Sequence, residues 1–262
     1  VAGTAQITRA MSLVAAVRLR KAQNAAAALE DYSRRLDSLL QMATLGDGPA
    51  HPLLALRPPL RSICLVIGPD RGLCGNFARE TASFASERLE ALGERSGLRV
   101  LTIGSRMARL VEGGGDGQEL SSGGLRTRMD DAWRFLSSEF TGGRVDRVYL
   151  IYNRTGPGNS WKPVMESLLP LQSGADVVMG DVILEPSRGV LVEELAPECG
   201  RARLALAASS SESSEQMARL RAMTAATHNS QEMLEDLRLA SNKLRQAAVT
   251  RELSEILAGS GL

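Results

Sequence analysis

The sequence predicts an α/β protein in which two long terminal helices pair as an antiparallel coiled coil and flank a small, mainly parallel sheet. Three observations predict it. Glycine and proline, which break helices, are absent from Thr4 to Leu45 and from Arg201 to Ala258, while every proline and nearly all 25 glycines lie between. Apolar positions in the C-terminal run recur with a heptad period. Between the runs, short apolar stretches alternate with helix-like segments, the order expected of strands covered by helices.

The N-terminal run offers Ile7, Met11, Val14, Val17, Leu36, Leu39 and Leu40 as an apolar face separated by alanines. At 1.5 Å per residue the two runs would reach about 60 and 85 Å, and helices of that length need partners. In the C-terminal run Leu220, Thr227, Leu234, Ser241 and Ala248 repeat every seven residues, and Met223, Ser230, Leu237 and Leu244 repeat three later. Together they form a heptad seam, thinned by small polar residues. The natural partner of each run is the other, although the same periodicity also fits the core of an ordinary helical bundle. The "SSSESS" tract, Ser209–Ser214, lowers helix propensity and is a place where the last helix could turn irregular.

Arg9, Arg18, Arg20 and Lys21 fall in a window without acids, as do Arg238, Lys243 and Arg245, with Arg251 next. If both chain ends lie at one tip, the two windows come to the same height and eight cations ring one section of a rod. Such a ring fits an acidic collar supplied by a partner. The alternative is a solvated basic face.

In the middle section Ile63–Ile67, Val100–Ile103, Val145–Tyr152 and Val177–Leu184 read as strands. Phe77–Leu92, Ser105–Glu112 and Thr127–Phe140 read as helices, and Gly113–Gly124 as a loop. The chain therefore divides into a helix with its connector (1–57), a central α/β domain (58–200) and a C-terminal helix (201–262).

The totals exclude several functions. A formal charge of +1 without interleaved aromatic and basic residues argues against nucleic-acid binding. Three cysteines, Cys64, Cys74 and Cys199, form no CxxC pair and suggest reduced thiols in a cytoplasm-like compartment. No apolar window is long enough for a membrane span. The stretch "LVIGPDRGLCGNF", Leu65–Phe77, raises the question of a phosphate cradle, because a strand, a glycine turn and a helix start attract anions. Its G-x3-G-x2-G spacing matches neither nucleotide motif, no lysine is near, and Pro69 removes an amide. His51 and His228 have no metal-like or triad-like companions, so no catalytic residue, cofactor or metal is assigned. Cys74 would be reactive only if exposed at the helix start; otherwise it is a small residue packed in a turn.

Three islands in this order resemble the γ subunit, the central rotor shaft, of F-type ATP synthases: "ITRAMSLVAAVRLRKAQ" (Ile7–Gln23), "DRGLCG" (Asp70–Gly75), and a C-terminal helix carrying "SEQMARLRAM" (Ser214–Met223) and "NKLRQAAVTRELSEI" (Asn242–Ile256). "ILEPSRGVLVEELAP", Ile183–Pro197, adds weaker support. The resemblance implies a coiled coil on a Rossmann-like α/β domain, and a mechanical, non-catalytic role. It implies α and β subunits around the coiled coil, with acidic β loops near it, and an ε subunit and a membrane ring of c subunits at the base. It places the chain as a peripheral protein on the cytoplasmic face of a bacterial plasma membrane. Met11 matches the methionine of the family's "AM" pair, and Arg245 and Gln246 match its "RQ" pair. With Arg9, Arg18, Arg238, Lys243 and Arg251 they are the expected rotor–stator contacts, while Asp70, Arg71, Gly72, Cys74 and Gly75 form a structural turn. Gln216 departs from the family, which commonly has His there. Two other readings stay open: a divergent paralogue serving as a coiled-coil scaffold, and a nucleotide-binding α/β enzyme with helical arms.

Overall fold

The computed structural model describes residues 1–44, 51–93, 97–111, 118–120, 124–156, 158, 160–172 and 184–259. In chain order these form α1 (Ala2–Thr44), β1 (Ser62–Ile67), α2 (Phe77–Gly93), β2 (Leu98–Ile103), α3 (Ser105–Val111), β3 (Gln118–Glu119), α4 (Leu125–Thr141), β4 (Arg147–Gly156), β5 (Ser160–Leu169) and α5 (Arg188–Gly259). The sheet order is β3-β2-β1-β4-β5, parallel except for the β4–β5 pair.

Central strand β1 is apolar because both its faces are covered. Ile63, Leu65 and Ile67 enter a core shared with α1, α4 and α5, while Cys64 and Val66 enter a smaller one with α2 and α3. Edge strand β5 was not anticipated in the sequence. Lys162, Pro163 and Glu166 hide it from pattern reading, yet at a sheet edge the missing proline N–H costs no ladder bond. Strand β3 lies inside the tract expected to be a loop. The expected strand Val177–Leu184 falls outside the described residues except for Leu184, which is in no strand.

Helix α5 starts at Arg188, well before the expected Arg201, and runs 72 residues with Pro197 inside it. Packing overrides the breakers here: Val192, Ala196, Cys199 and Ala202 are buried. Gly200 is required by contact, since a Cβ there would overlap the Trp133 ring of α4. The serine tract causes no irregularity, because α5 is helical straight through it.

The antiparallel pair is present, with two corrections. On α1 the buried face is Thr8, Ala15, Leu19, Ala22, Ser33, Leu36, Leu40 and Ala43. The expected Ile7, Val14, Val17 and Leu39 point outward, at 62%, 52%, 74% and 47% exposure. Small residues face α5 because they let the helices approach closely. The Thr227 hydroxyl donates to the Thr8 hydroxyl at 2.8 Å, Arg203 pairs with Asp37 at 2.8 Å, and the Tyr32 hydroxyl donates to Glu198 at 3.1 Å.

That register overturns the ring of eight cations. With Thr8 opposite Thr227, the window of Arg9 to Lys21 lies beside residues near Leu220, whereas Arg238 to Arg251 lie beyond the start of α1. The two windows are offset by about 36 Å along the rod. Leu237 and Leu244 of the expected seam are accordingly exposed, at 52% and 72%.

Candidate functional site

The turn after β1 is a hub. Arg128 of α4, only 8% exposed, donates two 2.8 Å hydrogen bonds to the two carboxylate oxygens of Asp70. The Ser105 amide at the start of α3 also donates to Asp70, at 3.3 Å. Burial alone would raise the Asp70 pKa, but the hydrogen bonds and charge of Arg128 outweigh it and hold the carboxyl below its usual value. An α3 amide that a phosphate would use is therefore engaged by the protein's own carboxylate.

The rest of the turn faces α5. Cys74 is 3% exposed and packs with Phe77 and Ala218. Burial, then the nearby Glu215 charge, pushes its thiol pKa up, the opposite of a reactive cysteine. Gly75 has φ +59° and lies 3.8 Å from the Ala222 methyl when given a Cβ. Leu73 also adopts a left-handed φ of 64° and is 57% exposed. Arg219 of α5 donates to the Gly72 carbonyl at 3.3 Å and pairs with Glu215 at 2.7 Å. Burial raises the Glu215 pKa despite that partner.

Beside the hub lies the point where the sheet's connections change direction. Helices α2 and α3 cover one face and α4 the other, so β1 and β4 flank the crevice in which doubly wound folds bind ligands at their strands' carboxyl ends. Here α5 fills it. The Ser211 hydroxyl donates to the Ile67 carbonyl at 3.3 Å, and Ser210 and Ser214 donate to the Asn153 carbonyl at 3.1 and 3.3 Å. Asn153 in turn donates to Thr81 at 2.8 Å. The three serines thus tie α5 to two backbone carbonyls of the sheet, that of Ile67 at the end of β1 and that of Asn153 within β4.

Sequence reading found the turn but missed Arg128, Asn153, Arg219 and the three serines. The signal was a serine run in mid-helix, where a core-facing helix calls for apolar residues. The predicted contact residues separate into two groups. Arg9 and Arg18 are exposed and Met11 half-buried on α1, whereas Arg238, Lys243, Arg245, Gln246 and Arg251 are exposed on the far part of α5. Arg251 pairs with Glu255 at 3.1 Å. Among the described residues there is no metal-type cluster of His, Cys, Asp and Glu, and no helix long and apolar enough to cross a membrane.

A long helix pair whose longer member is bonded through the carboxyl edge of a parallel sheet defines a shaft fixed to an α/β base. The sequence model of the ATP synthase family matches residues 1–261. The ATP synthase γ chain of Pelotomaculum thermopropionicum is 32% identical over 98% of this chain and 93% of its own, and that of Geobacter sp. strain M21 is 34% identical over 99% and 94%. The chain belongs to the ATP synthase γ-chain family. Its fold is similar to the central stalk in the Tetrahymena thermophila mitochondrial ATP synthase (TM-score 0.59, 20% identity, 84% of this chain and 99% of that one). It is also similar to a chain of the Euglena gracilis mitochondrial ATP synthase, from its OSCP, F1 and c-ring structure (TM-score 0.51, 16% identity, 99% and 94%).

Proposed function

We propose that this chain is the rotating central-stalk γ subunit of an F-type ATP synthase, coupling ion flow through a membrane ring of c subunits to ATP synthesis or hydrolysis in a hexamer of α and β subunits. It does no bond chemistry itself. The observation that carries this reading is the far part of α5, a charged rod whose side chains from Gln231 to Ile256 are exposed except for the half-buried Leu234, rooted by directional bonds in a folded base. The hexamer surrounds the rod, the ε subunit and c ring meet the base, and the chain is held on the cytoplasmic face of a bacterial plasma membrane through them. An asymmetric shaft turning inside the hexamer presents different faces to each β subunit and so changes its affinity for nucleotide in turn.

The stagger of the basic windows refines the contact. Arg9 and Arg18 with Met11 form one band, and Arg238, Lys243, Arg245, Gln246 and Arg251 form a second, about 36 Å higher. Two bands suit a sleeve that grips the shaft at two levels.

Reconstitution with α and β subunits of the same organism tests the function. A stable complex that hydrolyses ATP only with this chain present is the expected result. A folded chain that fails to assemble contradicts it and favours a scaffold role, while saturable nucleotide binding to the chain alone favours an α/β enzyme.

A further inference from the structure

The connector between α1 and β1 carries Leu56 and Leu60, which are 76% and 70% exposed; Leu56 is the most exposed large apolar side chain among the described residues. An arginine follows each, and Pro58 and Pro59 restrict the backbone between them. The arginines converge on the end of α4. Arg57 donates to the Phe140 carbonyl at 2.7 Å and lies over the Phe140 ring at 4.9 Å. Arg61 donates to the Gly143 carbonyl at 2.6 Å, and Arg144 to the Ser138 carbonyl at 3.4 Å. Carbonyls at a helix C-terminus lack helical partners and form its negative pole, which draws cations.

Arg99 joins them through Glu139, which pairs with Arg99 at 2.9 Å and with Arg144 at 2.6 Å. The acids lie beneath. The side chains of Glu139 and Asp146 are 11% and 8% exposed, whereas those of Arg61, Arg99 and Arg144 are 53%, 51% and 59% exposed. From solvent the patch is therefore cationic and apolar. A guanidinium has five N–H donors, so one or two bonds to carbonyls leave others for an acceptor outside the chain.

The patch sits at the amino end of β1, since Arg61 directly precedes Ser62. Helix α5 crosses the carboxyl end of the same strand, where Ser211 meets the Ile67 carbonyl, and continues from there to the tip. The patch is thus at the end of the sheet remote from the rod.

We propose that this patch docks the base directly on anionic phospholipid, the guanidiniums pairing with lipid phosphates while Leu56 and Leu60 enter the headgroup layer. The leucines stand out from the surface with a cation beside each, the arrangement of an interfacial anchor, and line no groove that would receive a protein side chain. The orientation toward the membrane rests on the rotor reading; the affinity for lipid does not.

Flotation of the full chain with vesicles tests it. Reversible binding to vesicles of phosphatidylcholine and phosphatidylglycerol in equal parts is expected, weakened roughly tenfold on phosphatidylcholine alone and weakened by added salt. Leu56→Ser combined with Leu60→Ser, two surface changes that leave the fold intact, weakens it about tenfold as well. Arg79→Gln, which removes an exposed cation from α2, leaves it unchanged. In a Leu60→Trp chain the added indole is quenched by brominated lipid. Absence of binding to the anionic vesicles, binding that survives the double leucine change, or an indole beyond the reach of brominated lipid overturns the proposal. So does a double leucine change that impairs only association with the c ring, which would make the patch a protein contact. The free chain gives these readouts without other subunits, so a chain that floats with vesicles and fails to assemble with α and β overturns the rotor reading alone.

Discussion

The two halves of α5 are one continuous helix and live in opposite surroundings. From Ala202 to Met223 it is packed against the sheet, α4 and α1, with Leu204 fully buried and even its serines inside. From Gln231 to Ile256 every side chain except the half-buried Leu234 is exposed, including Leu244 at 72% and Ile256 at 65%. Helical propensity does not separate them; partners do. The second half leaves Leu237, Leu239, Leu244, Leu253 and Ile256 in solvent, apolar surface that a surrounding partner would cover. The first half is anchored by hydrogen bonds of fixed direction. Apolar contacts bury area without setting an angle, whereas Ser210, Ser211 and Ser214 on the Ile67 and Asn153 carbonyls set how α5 is turned about its own axis. That is the requirement on a shaft that must carry torque from its base.

The sharpest way to break this comparison is to delete one leucine from each half. Leu204→Ala leaves a cavity in the core and lowers unfolding free energy by about 2–5 kcal/mol, whereas Leu244→Ala changes it by less than about 0.5 kcal/mol. Urea unfolding of both variants measures the contrast, and equal losses would show that the tip is packed within the chain. The hub comes next. Asp70→Ala strands the buried Arg128 guanidinium and costs roughly 2 kcal/mol, below the full cost of breaking a buried pair because the Asp70 side chain is 45% exposed.

The same pair has a pH signature. The Asp70 pKa is lower in the folded chain than in the unfolded one, so its stabilisation is fully present above the ordinary carboxylate range. It is lost as pH falls through the depressed folded value. Melting temperature followed downward in pH should fall less steeply in Asp70→Asn than in the native chain. Ser214→Ala removes one of the two serine donors at the Asn153 carbonyl and costs about 1 kcal/mol, read as a shift in urea midpoint. Smallest in stability is Arg245→Glu, which lies on the exposed tip and leaves the midpoint within about 0.5 kcal/mol. Against the acidic collar expected around the tip it would place a like charge and lower ATP turnover of the assembled complex, and unchanged turnover would remove Arg245 from the contact.

What could be read in the sequence follows from how local each signal is. Helices α2, α3 and α4 and strands β1, β2 and β4 announce themselves because each carries its own periodicity or apolar run. The buried face of α1 did not, because Thr8, Ala15, Ala22 and Ser33 are too small to give a hydrophobic signal while the outward Ile7 and Val17 give a strong one. The register of the helix pair was also hidden. A heptad seam looks the same after a shift of seven residues, so only the Thr8–Thr227 contact and its neighbours place one helix against the other. At the hub the DRGLCG turn stood out, but its partners Ser105, Arg128 and Arg219 are remote in the chain, and a lone arginine or serine gives no hint of what it meets.

Rotation tests the central claim most directly. Cys64, Cys74 and Cys199 are all buried, so a cysteine introduced at the exposed Glu87 of α2 would be the reactive one on which to fix a bead to the base. With the α and β subunits held on a surface and ATP supplied, the bead should turn in one direction with three equal steps per revolution. A complex that hydrolyses ATP while the labelled base stays still would contradict a shaft and base that turn as one body.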